Sequence, residues 1–266
     1  MRRLLVVAAT ALLVGCASSQ PAAEPEELTV RVIAEHPWDS GWFIQGLEFD
    51  GDDLLVGTGI AGESQILRLA QPLEDQQVVE SAEVPDNFFG EGITRIGADV
   101  WQLTWKDQVA LRRDAQTFDI REEIPYARQG WGICARADGS VVTSDGSDEL
   151  VVRNANSLAE QAVIEVTYRG EPVTELNELE CTGTAEQPVV WANEWQTDNI
   201  YRIDGRTDVV TARVDASALR EMLPPERTPM NVDVLNGIAA IAGTNRFVVT
   251  GKYWPVLFEV EFVPAR

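Results

Sequence analysis

Five segments of the chain follow one pattern, and this repeat restricts the possible folds more than any other feature of the sequence. In each segment a polar or aromatic residue, usually followed by glycine, precedes a short apolar stretch. A turn rich in glycine, aspartate or asparagine and a second apolar stretch come next. Each segment is therefore predicted to form a β-hairpin. The five segments begin at Gln45, Glu91, Trp131, Asn177 and Asn236.

Further short apolar strands lie between these hairpins. The repeat then has about four strands and a period of about 40 to 60 residues, which is typical of propeller blades. The last repeat supplies only three strands, and the isolated strand LTVRVIAE at residues 28–35 can complete it. One helix is predicted, at residues 217–223, as an insertion before the last blade. The sequence thus predicts an all-β fold, a single five-bladed β-propeller over residues 28–266 whose last blade is closed by the N-terminal strand.

The charge of the chain restricts its partners. The 266 residues carry a formal net charge of -22, which predicts an acidic surface. Because 45% of them are hydrophobic, a substantial core is possible. Such a surface repels nucleic-acid phosphates and anionic membranes. We therefore expect no nucleic-acid partner, and we expect a monomer.

The first residues have the features of an export signal. MRR is basic, the following apolar stretch is short, and the sequence LVGC at residues 13–16 resembles a bacterial lipobox. Residues 1–15 are then a lipoprotein signal peptide, Cys16 is the lipidation site, and residues 16–27 are a flexible tether. An ordinary secretory signal with an incidental cysteine is the alternative. We expect a periplasmic protein of the bacterial cell envelope, anchored at the outer membrane through Cys16 alone.

The repeat also predicts a site. The start of the first strand and the end of the second lie at the same end of an antiparallel hairpin. The five residues that begin the segments should therefore share one rim of the central channel with the residues that end the second strands, namely Trp105, Lys106, Asp145, Trp195 and Lys252. Aromatic walls with a few polar groups are typical of a small-ligand site. A carboxylate such as Glu91 among apolar residues costs free energy unless it is paired or functional.

Several of these residues also have simpler interpretations. A tryptophan at the edge of a blade often packs between blades, Asn236 beside glycine can be a turn residue, and Asp145 can cap a turn. The remaining cysteines, Cys134 and Cys181, can form a disulfide in an exported protein or remain two buried thiols. They have no histidine near them in the sequence, which makes a zinc site unfavourable.

The motifs at these positions resemble those of the plant-type glutaminyl-peptide cyclotransferases, a family that also occurs in bacteria. In chain order the matching motifs are FIQGLEF, FGEGIT, LTWK, GWG, SDGS, NELE, WANEWQTDNIYRID, and LNGIA with TGKYWP. The resemblance implies a five-bladed propeller and no metal or other cofactor. The only histidine, His36, lies before the first blade, so a His-rich zinc site is not available. The chain departs from the family at Ile44 and Gln129.

The resemblance implies an acyltransferase that converts the N-terminal glutamine of a peptide or protein into pyroglutamate and releases ammonia. Glu91 would serve as general base and then general acid, and Lys252 would orient it or stabilise the developing oxyanion. The other predicted site residues would bind the substrate. Gln45, Asn177 and Asn236 would supply amides, and Trp105, Trp131 and Trp195 would hold the aliphatic stem and exclude water.

Two other functions are compatible with the sequence. Calcium-dependent lactonase propellers place oxygen ligands at the channel mouth, and Glu91, Asn177, Asn236 and Asp145 could form such a set. A propeller can also be a non-catalytic binding module of the envelope, because a fold does not determine a function.

Overall fold

The computed structural model describes residues 24–265, so Cys16 and the predicted signal peptide lie outside the described residues. The described part of the chain contains 22 β-strands and one short helix, as expected for an all-β fold. No helix of this part is long and apolar enough to cross a membrane.

Three sheets contain four consecutive antiparallel strands each. The first consists of β2 to β5, at Ile44–Asp50, Asp53–Thr58, Gln65–Ala70 and Gln77–Glu83. The second consists of β6 to β9, at Gly90–Ile96, Asp99–Thr104, Val109–Asp114 and Ile120–Pro125. The third consists of β10 to β13, at Ile133–Ala135, Ser140–Ser144, Glu149–Asn154 and Glu160–Glu165. In each sheet the predicted hairpin supplies the first two strands.

The remaining long strands form one eight-stranded sheet. One half contains β16 to β19, at Leu176–Gly183, Pro188–Glu194, Asn199–Asp204 and Val210–Asp215. The other half contains β20 to β22, at Leu235–Ala240, Arg246–Gly251 and Val256–Pro264, together with β1 at Glu26–Pro37. A small hairpin, β14 (Thr167–Tyr168) and β15 (Glu171–Pro172), precedes the first half, and helix α1 (Ser217–Glu221) lies between the halves. The helix lies before the last three strands, within the predicted range of residues 217–223.

The N-terminal strand β1 joins the two halves. It pairs antiparallel with β22 along most of its length, as predicted, and its first residues also pair in parallel with β19, from Glu26 opposite Ala212 to Thr29 opposite Asp215. The strand begins two residues earlier than expected, so residues 26 and 27 belong to it and not to the tether. It also extends to Pro37 and includes His36, because pairing with β22 continues to Val256.

The core lies between neighbouring sheets. Apolar side chains of the first and second sheets pack together, as do those of the second and third and of the third sheet and β16 to β19. The two halves of the large sheet share another cluster, and the half with β20 to β22 packs against the first sheet. The strands β2, β6, β10, β16 and β20 contact one another in the same cyclic order. The arrangement is propeller-like, with the first strand of each unit innermost.

A disulfide joins two of these inner strands. Cys134 of β10 and Cys181 of β16 are bonded, with their Cα atoms 5.4 Å apart. Of the two possibilities that the sequence leaves open, the structure has the disulfide.

Candidate active site

Seven of the ten predicted rim residues line a cavity of about 260 Å³ at one end of the inner strands. Gln45, Glu91 and Asn177 come from the beginnings of β2, β6 and β16, and Trp131 lies two residues before the start of β10. Trp105, Trp195 and Lys252 follow the ends of β7, β17 and β21. The cavity is also lined by Phe43, Phe89, Gln196, Asp233 and Val234.

The polar side chains of the inner strands reach the cavity at irregularities in strand pairing. The β2–β3 register shifts between Ile44 and Gly46, next to Gln45. The β6–β7 register shifts between Gly90 and Ile93, and the β16–β17 register shifts between Leu176 and Leu179. A bulge leaves a residue unpaired and changes the direction of its side chain. The bulges therefore explain how a carboxylate or an amide in an otherwise apolar strand is presented to a shared cavity.

Glycines next to the site allow the inner strands to approach closely. The amide of Gly92 donates to the carbonyl oxygen of Trp131 at 2.9 Å, which ties β6 to the segment before β10. A Cβ atom at Gly92 would overlap that carbonyl oxygen, and one at Gly132 would overlap the carbonyl oxygen of Asn177. Side chains at these two positions would push neighbouring sheets apart and widen the cavity.

Glu91 is the buried carboxylate of the cavity, with 4% of its surface exposed. Its Oε1 accepts a hydrogen bond from Nε2 of Gln45 at 3.1 Å. Burial raises the pKa of Glu91 well above its ordinary value, because desolvation disfavours the charged form, and the nearby charge of Lys252 opposes this increase. A carboxyl group whose pKa is raised in this way is a suitable general base and, once protonated, a suitable general acid.

Lys252 is also buried, and no salt bridge joins it to Glu91 within residues 24–265. Its Nζ lies 4.6 Å from the centre of the Phe43 ring, a cation–π distance. Burial lowers the pKa of Lys252, while Glu91 and Asp233 act in the opposite direction. The ammonium group thus contributes positive charge to the site without neutralising Glu91 in a direct pair.

Aromatic rings form most of the remaining wall. The rings of Trp131 and Trp195 meet edge to face with their centres 5.5 Å apart, and those of Phe89 and Trp105 are 5.6 Å apart. Among these rings the amide of Asn177 makes no side-chain hydrogen bond to any described residue, although its backbone oxygen accepts one from Ser144. Asn177 therefore offers a free donor and acceptor to a bound molecule.

A family model described as glutamine cyclotransferase matches residues 5–262. The chain belongs to the glutamine cyclotransferase family. It is 30% identical over 239 residues to a glutaminyl-peptide cyclotransferase of Arabidopsis thaliana, covering 89% of this chain and 72% of that protein. The crystal structure of Myxococcus xanthus glutaminyl cyclase superposes with a TM-score of 0.81 at 32% identity, covering 91% of this chain and all of that one.

These comparisons confirm the family that the motifs predicted. They also confirm the enzyme class, an acyltransferase that cyclises glutamine. No group of three or more potential metal-ligating His, Cys, Asp or Glu side chains occurs in the described part of this cyclotransferase.

Among the residues predicted for catalysis or substrate binding, Asn236 does not line the cavity, and the expectation that it contacts substrate is corrected. Its Nδ2 donates to the carbonyl oxygen of Ile44 at 3.0 Å and to Oε1 of Gln45 at 3.4 Å. The bulge between Leu235 and Ile238 places it behind Gln45, inside the ring of inner strands. It can therefore influence the site through Gln45.

Two further rim candidates have other partners. The carboxylate of Asp145 pairs with Arg128, 2.9 Å away, and accepts a hydrogen bond from Ser147. The ammonium group of Lys106 lies 3.9 Å from the centre of the Trp105 ring and does not line the cavity. Because Asp145 and Asn236 are both directed elsewhere, the four oxygen ligands considered for calcium are not brought together.

The sequence prediction missed several residues of the wall. Phe43 and Phe89 stand two residues before Gln45 and Glu91, so the repeat itself contained the signal for both aromatic residues. Asp233 and Val234 lie in the connection between α1 and β20, which belongs to no repeat. No pattern in the sequence indicates that this connection reaches the cavity.

Proposed function

We propose that the cavity binds the N-terminal glutamine of a peptide or protein and that Glu91 transfers the proton of its cyclisation. The observation that carries this assignment is the position of Glu91, a buried carboxyl group with a raised pKa that lines the cavity, accepts a hydrogen bond from Gln45 and is surrounded by aromatic rings. The nucleophile is the substrate's own α-amine, so the enzyme needs to fold the glutamine and move a proton.

The proposed reaction has two proton transfers. The neutral α-amine attacks the γ-carbonyl carbon of the same residue, a C–N bond forms, and the carboxylate of Glu91 takes a proton from the amine. The resulting tetrahedral intermediate carries negative charge on oxygen. The protonated carboxyl group then returns the proton to the amide nitrogen, the old C–N bond breaks, and ammonia leaves the pyroglutamyl product. The carboxylate is regenerated and no other reactant is consumed.

The surrounding residues have separate proposed roles. Gln45 orients the carboxylate of Glu91, and Asn236 positions Gln45 from behind. The free amide of Asn177 and the charge of Lys252 are available to stabilise the oxyanion. The rings of Trp105, Trp131 and Trp195 enclose the aliphatic stem and exclude water.

We also propose that the four-stranded units are the blades of a five-bladed propeller. The cyclic packing of neighbouring sheets and of their innermost strands supports this count. In such a ring the two halves of the eight-stranded sheet are separate blades, joined by the short parallel pairing of β1 with β19.

We propose that in the cell this protein is a monomer, held at the outer membrane by a lipid on Cys16. The lipobox-like sequence LVGC supports the proposal. Metabolic labelling with a radioactive fatty acid tests it, since Cys16→Ser should abolish labelling and release the protein into the periplasm. Equal labelling of the variant would refute lipidation at Cys16.

The activity is tested with the purified protein and the dipeptide Gln-Ala. We expect release of ammonia in a coupled spectrophotometric assay, both with and without a chelator. N-acetyl-Gln-Ala, whose amine is blocked, should release none. Failure to release ammonia from several Gln-peptides would refute the assignment, and activity lost only in chelator would favour the calcium-dependent alternative.

A further inference from the structure

A second cleft, of about 350 Å³, adjoins the proposed glutamine cavity. We call it the Glu63 cleft; it is lined by residues that include Trp42, Phe43, Gly59, Ile60, Glu63 and Tyr253. Strand β3 ends at Thr58 and β4 begins at Gln65, so the connection that carries Glu63 lies at the same end of the first sheet as Gln45. Both openings therefore face the same side of the molecule.

The two spaces share a thin wall. Phe43 lines both of them. Its ring centre lies 4.6 Å from Nζ of Lys252, which lines the first cavity, and 5.1 Å from the ring centre of Tyr253, which lines the second. Gly59 lines the second cleft, and its backbone is so close to Phe89 and Gln45 that a Cβ atom there would contact both. A group that leaves the first cavity past Phe43 thus enters the second directly.

The junction carries negative charge. Glu63 is exposed and takes part in no salt bridge with any residue from 24 to 265. Glu63 lines the cleft together with Tyr253, whereas Asp233 lines the adjoining glutamine cavity.

Within residues 24–265, neither Lys252 nor Arg220 forms a salt bridge with Glu63. Lys252 is buried and lines the glutamine cavity, not the Glu63 cleft. Arg220 is paired with Asp198, 3.1 Å away, and donates to the backbone oxygen of Asp233. The open face of the cleft consequently remains acidic.

We propose that the Glu63 cleft binds the side chain of the residue that follows the N-terminal glutamine, and that Glu63 gives a preference for lysine or arginine there. The proposal rests on the proposed function. A bound glutamine must lead its peptide chain out of the open side of the cavity, and the next Cα atom lies only about 3.8 Å further along. A cationic side chain at that position can reach the carboxylate of Glu63 with its charged end while its aliphatic stem packs on Phe43 and Tyr253.

The test compares kcat/KM for two amidated peptides, Gln-Lys-Ala and Gln-Ala-Ala, at low ionic strength. Exposed ion pairs contribute up to about 1 kcal/mol, so we expect the wild-type protein to favour the lysine peptide about two- to fivefold. Glu63→Gln should bring this ratio close to one, mainly through a higher KM for the lysine peptide. Added salt should reduce the wild-type ratio in the same direction.

Glu74→Gln is the matched control. Glu74 is exposed in the connection between β4 and β5, at the opposite end of the same sheet, and its replacement changes the net charge by the same amount. We expect this variant to keep the wild-type ratio. Equal kcat/KM values for both peptides in an active wild-type protein, or equal changes of the ratio in the two variants, would overturn the inference alone. A wild-type protein that cyclises neither peptide would overturn the proposed function as well.

Discussion

Replacing Glu91 by glutamine removes the proposed proton carrier and preserves the shape of the side chain. The carboxyl group is buried and its described hydrogen-bond partner is the amide of Gln45, which a glutamine side chain at position 91 can also bind. The substitution therefore changes the chemistry of the site with little change in packing. We expect the variant to fold and to lose most of its activity.

The size of the loss follows from the role of the group. General acid–base catalysis contributes about 10²- to 10⁴-fold, which corresponds to about 3–5 kcal/mol of transition-state stabilisation. Because the proposed binding residues, the aromatic walls and Asn177, are unchanged in the variant, the loss should occur in kcat, with KM changed much less.

The same substitution should increase stability in a pH-dependent way. Burial raises the pKa of Glu91 above its ordinary value of 4.5, so above about that pH the folded protein retains a proton that the unfolded chain releases. Stability of the wild-type protein then falls as pH rises towards the folded pKa. Glutamine does not titrate, and the Tm of the variant should exceed that of the wild type by an amount that grows with pH from 4.5 upward.

Two measurements test this reasoning. Ammonia release from Gln-Ala gives kcat and KM, and thermal unfolding between pH 4.5 and 8 gives the difference in Tm. A kcat within a factor of ten of the wild-type value would refute the role of Glu91 as proton carrier. A difference in Tm that stays constant with pH would refute its raised pKa.

Three further predictions concern charge and covalent structure. Lys252→Met removes the charge that lowers the pKa of Glu91, so the acidic limb of the pH profile of kcat should move to higher pH. Lys252→Arg should leave this limb nearer the wild-type position. An unmoved limb in the methionine variant would contradict the electrostatic effect of Lys252 on Glu91. Burial raises the pKa of Glu48, in β2, to about 7. The Tm of the wild-type protein should therefore fall relative to that of Glu48→Gln between about pH 4.5 and 7, and a constant difference between the two Tm values would argue against this. Loss of the disulfide in a double Cys134→Ser, Cys181→Ser variant should lower the free energy of unfolding by about 2–4 kcal/mol in a denaturant titration, and an unchanged midpoint would exclude a stabilising bond.

The fold class was predictable because the sequence pattern that indicates it repeats along the chain. The hairpins repeat along the sequence, and pairing within each hairpin places the beginnings of the inner strands near the ends of their neighbours. This rule was sufficient to bring Gln45, Glu91 and Asn177 together with residues far away in the chain. The strand β1 was identifiable because the last repeat lacked a fourth strand.

The details that periodicity does not contain were not predictable. Asn236 occupies the same repeat position as Gln45, yet it bonds to Gln45 and does not line the cavity, a difference set by tertiary packing around its bulge. Asp233 comes from a connection with no counterpart in the other repeats. The pairing of Asp145 with Arg128 likewise depends on two segments whose contact no local pattern indicates.

The pairing of β1 with β22 has a consequence for how the enzyme becomes active. These strands come from opposite ends of the chain, and pairings between such distant residues form slowly because a long loop must first be closed. Gln45, from the first sheet, and Asn236, from the final unit, meet only when this closure is complete. During refolding, the return of activity should therefore lag behind the formation of the individual hairpins.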